Sequence, residues 1–400
     1  MNIDSQNLTL AIEKNIDREK WVLWKFSDLV ENVVEKVVPK ESGLDPYIGL
    51  EHLDSGSLKI RRFGDTSSLI GEKLKIYKGD LIFAKRNAYL KRVAIADFDA
   101  VASAHSMVLR PRPENVLPEF LPFFLLSEKF WQRAIEISVG SLSPTINWKV
   151  LARQEFLLPP KDQQAKLAEL LWAMDEVIES YLAVLEKVTS CYNSAVKAKC
   201  IEAEGEVQAL SKVIDKLVAG VSVNSEEGEI QDSDTGILKT SSVSEGYFIP
   251  TEAKRVLKSE LHRVKTPVTR NTIIISRMNT VELVGANGFV HNDHPNLFLP
   301  DRLWQTRISR NDVNVKYLWY LLSSSHYRHR ISSLCTGTSN SMKNISKESL
   351  LSIRIALPNK SYQDKIVHKI EHIEYTKKLS SERVTLSKTL QNTIVNKVFE

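Results

Sequence analysis

Between Pro160 and Cys200 the chain repeats apolar side chains at Leu167, Leu171, Met174, Ile178, Tyr181, Leu185, Val188, Tyr192 and Ala195, in steps alternating between four and three residues. A heptad seam of this length asks for a facing helix rather than a globular core. Ahead of it, Phe156-Leu157-Leu158-Pro159-Pro160 closes an extended segment, because a residue before proline is pushed out of helical geometry, and Asp162 can cap the helix that follows. The spacing predicts one helix from about Asp162 to about Cys200, and about 40 residues at about 1.5 Å each make a rod of roughly 60 Å.

The facing helix is found in the same chain. Ile355-Ala356-Leu357-Pro358 is followed by Ser361-Tyr362-Gln363-Asp364, a capping box, and by Ile366, Ile370 and Ile373 at helical spacing. Leu158-Pro159 aligns with Leu357-Pro358, and Gln164 with Gln363. Lys377 and Ser380 interrupt this second seam, so the pattern predicts a phase slip before Leu379, Leu386, Leu390 and Ile394 resume.

The likeness of the two ends extends through the chain. Phe26 to Val30 resembles Leu210 to Ile214, Leu53 to Gly56 matches Val243 to Gly246, and Tyr77 to Lys85 parallels Thr269 to Arg277, a turn feeding a buried strand that ends in a base. Leu125-Leu126-Ser127 corresponds to Leu321-Leu322-Ser323, Phe130 to Arg133 to Tyr327 to Arg330, and Gly140-Ser141 to Gly337-Thr338. The offset grows in order along the chain, as a tandem duplication requires and chance matches do not.

Each copy reads as mixed α and β. Strand-like runs are Tyr47 to Leu50, Asp80 to Ala84 and Val93 to Ala96, then Ile237 to Lys239, Ile273 to Ser276 and Val281 to Val284; a helix follows in each copy, about Glu119 to Ile137 and Val315 to Leu334. The expected fold class is α+β: two tandem mixed α/β domains, an internal repeat, with two long helices paired as a coiled coil. The expected boundaries are an N-terminal segment 1–20, a first domain 21–160, a helix 161–202, a second domain 207–358 and a helix 361–400.

Composition narrows the setting. At 42% hydrophobic, 400 residues can bury more than one core. Cys191, Cys200 and Cys335 are too scattered for a disulfide framework or a Cys-x-x-Cys metal site, which points to a reduced, intracellular protein. No apolar run is long enough to span a membrane, and the polar first residues do not read as a signal peptide, so the cytoplasm is the expected location. From Lys59 to Arg112 twelve bases face five acids, whereas Lys161 to Lys187 holds three lysines against six acids. A basic globular unit beside an acidic helix suggests a polyanion at the first and a protein at the second.

Catalytic constellations are not found. Asp45-Pro46-Tyr47 has one proline too few for the loop with which an amino-methyltransferase holds an extruded base, and it reads as a turn. Glu252-Ala253-Lys254 has no upstream acid to complete a magnesium-dependent nuclease site, and no phosphate-binding glycine loop is present. His368 and His372, four apart, and His291 with His294 have no third ligand at a recognisable spacing, and read as surface or capping residues.

The bases at the strand ends are more informative. Lys85-Arg86-Asn87 and Arg277-Met278-Asn279 each offer a base plus an amide; arginine can fork onto guanine and asparagine onto adenine, while other lysines and arginines grip phosphate. The candidate DNA contacts are Arg61, Arg62, Lys85, Arg86, Asn87 and Lys91 in the first copy and Arg277 and Asn279 in the second. Leu167, Leu171, Met174, Ile178, Leu185, Ile366, Ile370 and Ile373 are the candidate spacer and partner-docking positions on the helices.

Taken together, Gly140 to Ile146 as Gly-Ser-x-x-x-x-Ile, then Leu-Pro-Pro, Gln164 and a long heptad helix, the whole pattern occurring twice, resembles the specificity subunit of type I restriction-modification systems, and Gly79-Asp80-Leu81-Ile82 resembles that family's Gly-Asp-apolar strand. The second copy departs with Asn271-Thr272 and Leu357-Pro358-Asn359. The resemblance implies a subunit without an active site, each α/β target-recognition domain reading one half of a split DNA sequence and the two long helices packing antiparallel, with a pseudo-two-fold between the repeats, to set the spacer. It further implies double-stranded DNA, two modification subunits carrying S-adenosylmethionine, and restriction subunits carrying ATP and magnesium as partners, with no cofactor in this chain. Two other readings stand beside it: a self-contained methyltransferase or nuclease, and a coiled-coil scaffold whose α/β domains bind proteins.

Overall fold

The computed structural model describes residues 16–400 except 229, 232 and 338–341; most of the N-terminal segment 1–20, and the residues 338–340 that follow Gly337, lie outside the described residues. The chain forms two compact units, residues 1–183 with 380–400, and residues 184–379. Each unit takes in part of both long helices, Lys161–Val196 and Lys360–Phe399.

In the first unit an antiparallel ribbon, Val22–Lys25 with Glu155–Leu158, leads directly to the central helix. Two four-stranded sheets follow. One has the order Val30–Val33, Ser106–Pro111, Leu81–Ala84, Val93–Ile95; the other has Lys36–Val37, Lys73–Ile76, Ala100–Ala102, Tyr47–Ile48, the last pair parallel. Strand Leu81–Ala84 shows why an unbroken apolar run was needed: alternate side chains go to opposite faces. Leu81 and Phe83 enter an aromatic core with Phe124, Phe130 and Trp131, while Ile82 and Ala84 enter a second core with Ile48 and Ile76.

The second unit repeats this plan. The ribbon is Glu206–Ala209 with Arg354–Leu357, and Lys216–Ala219, Leu303–Arg307, Thr272–Ser276 and Asn287–Val290 form the counterpart of the first sheet in the same order. Ile273 and Ile275 go to one core and Ile274 to the other. The parallel pair recurs as Gly236–Leu238 with His294–Phe298.

Three expectations are corrected. Val281 to Val284 is not a strand: the amides of Leu283 and Val284 bond back to the Thr280 carbonyl in a turn, and the partner of Thr272–Ser276 is Asn287–Val290. The expected helices 119–137 and 315–334 are each two, Leu121–Leu126 with Glu128–Glu136 and Val315–Ser323 with Ser325–Ser333. The break falls at a serine whose hydroxyl closes one helix and caps the next: Ser127 donates to the Phe124 carbonyl at 2.6 Å and accepts from the Phe130 amide at 3.3 Å, and Ser324 does the same with Leu321 and Tyr327. Ser127 therefore corresponds to Ser324, one residue beyond the match to Ser323.

The third correction concerns the C-terminal helix, which has no phase slip. Gln363, Ile366, Ile370, Ile373, Lys377, Ser380, Val384, Ser387, Gln391, Ile394 and Val398 are all buried or half-buried, in steps of three and four throughout. Leu379 and Leu386, expected in the seam, are 41% and 62% exposed. Polar residues hold the register instead. The Lys377 ammonium lies 5.2 Å from the Tyr192 ring centre, and Gln391, only 4% exposed, donates to the Leu171 carbonyl at 3.3 Å. The central helix follows its expected seam from Leu167 to Ala195.

Within each unit the two helices run antiparallel. In the first, Trp21 donates to Gln163 at the start of the central helix and packs on Phe399, while Gln391 reaches Leu171; in the second, Tyr362 donates to the Lys199 carbonyl at 3.4 Å while Lys377 covers Tyr192.

Candidate nucleic-acid interface

The two strand-end loops are held alike. After Leu81–Ala84, the Lys85 amide donates to the His105 carbonyl and the Lys85 carbonyl accepts from the Ile146 amide at 2.9 Å. After Thr272–Ser276, the Arg277 amide donates to the Arg302 carbonyl and the Arg277 carbonyl accepts from the Ile345 amide at 3.0 Å. Each strand end is thus stitched to the glycine-containing loop that precedes the return strand, where Gly140 and Gly337 sit at φ 113° and 127°. Such values favour glycine, which has no Cβ to clash. The departure at Asn271 is conservative for the same reason: Gly79 has φ 95° and Asn271 has φ 55°.

The turn before the strand is anchored differently in the two units. Asp80, buried, accepts from the Tyr77 amide at 2.9 Å and from Arg110 Nε and Nη2 at 2.8 and 3.0 Å. In the second unit the Thr272 hydroxyl donates to the Thr269 carbonyl at 2.6 Å, and Arg307 donates to the Thr269 hydroxyl. A charged anchor becomes a neutral one on the same frame.

Ion pairing divides the candidate bases into two groups. Arg61 pairs with Glu179 and Asp54, Arg62 with Asp54, and Lys91 with Glu128 at 2.5 Å. Lys85 and Arg86 have no carboxylate partner among the described residues. Burial pushes the Lys85 amine below the usual lysine range, and Arg86 Nη1 lies 3.4 Å from His105 Nε2. His105 is held below its ordinary value by burial and by the charges of Arg86, Lys85 and Lys73. Lys73 donates to backbone carbonyls at Ile70 and Gly71. Lys73, Lys85, Thr145, Asn147 and Trp148 line an open groove of about 770 Å³ in this unit. Glu72 lines the same groove but is held by Lys36 at 2.8 Å, so Lys73 and Lys85 stay without a carboxylate partner among the described residues and can bind a phosphate backbone or the acceptor edge of a base.

Asn87 and Asn279 are half-buried, each with its side-chain oxygen turned to the protein. Asn87 takes a left-handed conformation with its Oδ1 buried, and Asn279 Oδ1 accepts from the Thr280 amide at 2.9 Å. Arg277 is half-buried, and its Nε is buried without a partner among the described residues. Lys73, His105, Thr145 and Asn147 escaped sequence reasoning because they come from other strands and loops. Arg328 did too. It stands where the first unit has Trp131, donates to the Glu282 carbonyl at 2.9 Å, and burial lowers its guanidinium pKa. The alignment of Trp131 with Arg328 was the signal available.

Of the helix positions, Leu167 and Leu171 are buried in the first unit's core and Ile366 and Ile370 in the second's, with Met174 packed against the first. Ile178 is buried, and Leu185 and Ile373 are half-buried. Among the described residues no three or more His, Cys, Asp or Glu side chains gather as a metal site, and no helix is long and apolar enough to cross a membrane.

Two stretches, 19–189 and 226–386, match the type I restriction modification DNA specificity domain. The chain belongs to that family. This type I specificity subunit is 23% identical over 388 residues to the EcoKI specificity subunit of Escherichia coli K12, covering 89% of this chain and 82% of that protein. The crystal structure of the type I restriction-modification S subunit from M. genitalium shares its fold, with a TM-score of 0.61 and 14% identity over 95% of this chain and 96% of that one. A chain from a structure of type I restriction-modification complex assembly and conformational transition aligns with a TM-score of 0.53 and 19% identity, covering 95% and 98%. The specificity subunit therefore recognises DNA sequence for a type I restriction-modification system, and its duplicated α/β architecture is the family's own.

Proposed function

We propose that this chain is a non-catalytic reader in which each unit recognises one half of a split DNA target. The observation that carries this reading is the shared position of Lys85 and Arg277, each at the end of an equivalent strand and each tied through its carbonyl to Ile146 or Ile345. Equivalent frames with different side chains suit two half-sites of different sequence. Lys85 and Arg86, with Asn87 beside them, meet the DNA of the first half-site, and Arg277 with Asn279 meets the second. Arg61, Arg62 and Lys91 act mainly within the protein, through their carboxylate partners.

The helices set the number of unread base pairs and dock two modification subunits. S-adenosylmethionine belongs to those partners, and ATP with magnesium to restriction subunits. The test is DNA binding by the complex assembled with its modification partner. Lys85→Ala with Arg86→Ala is expected to weaken binding without unfolding the protein, and unchanged binding would remove this loop from the interface. Methyl transfer by the purified chain alone would contradict the non-catalytic assignment.

A further inference from the structure

On the C-terminal helix, His368 and His372 are both exposed and their Nε2 atoms lie 3.4 Å apart, the ring planes at 80° with centroids separated by 4.7 Å. That separation is long for a direct nitrogen–nitrogen hydrogen bond, which prefers at most about 3.2 Å. It matches a shared ion: two imidazole nitrogens at about 2.0–2.1 Å from one tetrahedral metal are about 3.3–3.4 Å apart. Residues four apart lie one above the other on a helix, so a metal would meet both rings without any change in the backbone.

We propose that His368 and His372 form a two-histidine chelate for a divalent transition-metal ion, with water completing its coordination. Neutral imidazole suits copper, nickel and zinc, whereas magnesium and calcium require oxygen ligands. The nearby Glu371 does not join, because it is engaged by the Lys316 ammonium at 3.2 Å. The ion would clip one turn of the helix, so binding is coupled to the helicity of that turn. The inference rests on the imidazole pair alone and is independent of the DNA-reading assignment.

The test is titration of the purified full-length chain, free of any affinity tag, with Cu²⁺, Ni²⁺ and Zn²⁺, read by calorimetry and, for copper, by the nitrogen couplings in its electron paramagnetic resonance spectrum. One equivalent should bind, copper most tightly, with couplings from two nitrogens and no response to Mg²⁺. His368→Gln and His372→Gln should each weaken binding about 100-fold, as expected when a chelate loses one arm. Both side chains are exposed, so the variants should keep the wild-type circular dichroism without metal. Absence of saturable binding, or saturable binding that survives both substitutions and so resides on other histidines, would overturn the proposal.

Discussion

The side chain of Gln164 accepts a hydrogen bond from the Leu117 amide at 2.8 Å and donates one to the Pro159 carbonyl at 2.8 Å. Gln363 repeats both contacts, with the Asn314 amide and the Pro358 carbonyl, each at 2.8 Å, and adds the Asp312 carbonyl at 3.0 Å. Each glutamine is buried and ties the start of a long helix to the segment that opens the short helices of its unit. Removing it strands backbone groups that have no other partner in these contacts. Gln164→Ala and Gln363→Ala should each cost about 1–3 kcal/mol. Urea unfolding followed by hydrogen exchange should show lost protection at Leu117 in the first variant and at Asn314 in the second.

Asp80 and Arg110 form an ion pair that anchors the turn before the central strand of the first unit. Asp80→Ala leaves the Tyr77 amide and the guanidinium without their acceptor and should destabilise that unit by about 1–3 kcal/mol. Asp80→Thr, which copies Thr272, should recover part of the loss because a hydroxyl serves the same turn in the second unit. Thermal melts of the two variants check the order.

Asp175 is buried in the helix seam, and its carboxyl is raised above the ordinary value by burial and by Glu179, against the opposing pull of Lys59, Arg61 and Gln391. A carboxyl raised on folding contributes stability that is fully present below its unfolded pKa, about 3.9, and is lost as pH rises through the folded value. Asp175→Asn should therefore raise the melting temperature at neutral pH, and the difference from wild type should shrink as the pH falls towards 4. Melts across pH 4–8 measure it.

Phosphate contacts are counted by salt. If Lys85 neutralises a phosphate, Lys85→Ala should reduce the slope of log affinity against log salt by about 0.9 for the assembled complex. If Arg86 reads a base, Arg86→Ala should cost about 1–3 kcal/mol and relax preference at one target position. Arg61→Ala, whose guanidinium is held by Glu179 and Asp54, should leave the slope unchanged. Binding isotherms at several salt concentrations separate the three.

Local signals made the duplication legible: the base ending each buried strand, the paired glutamines and the heptad of the central helix all fall at equivalent places in the structure. The C-terminal seam was misread because apolar Leu379 and Leu386 outweighed Lys377, Ser380 and Gln391 as seam residues, although a lysine stem and an amide can fill a half-buried position. Val281 to Val284 has the β-branched character of a strand, but the turn closed on the Thr280 carbonyl decides its conformation. Which bases are free was not legible at all, because Arg61 finds Glu179 118 residues away and Lys91 finds Glu128 37 residues away.

The central claim is that each unit reads one half of a split target. It is tested most directly by mapping methylated adenines in DNA exposed to the complex of this chain with its modification partner, after exchanging residues 21–158 or 207–357 for those of a relative with a different target. The account predicts that the first exchange changes one half of the methylated motif and the second exchange changes the other, with the spacing between halves unaltered. A motif that stays intact through either exchange, or one that changes in both halves at once, would contradict it.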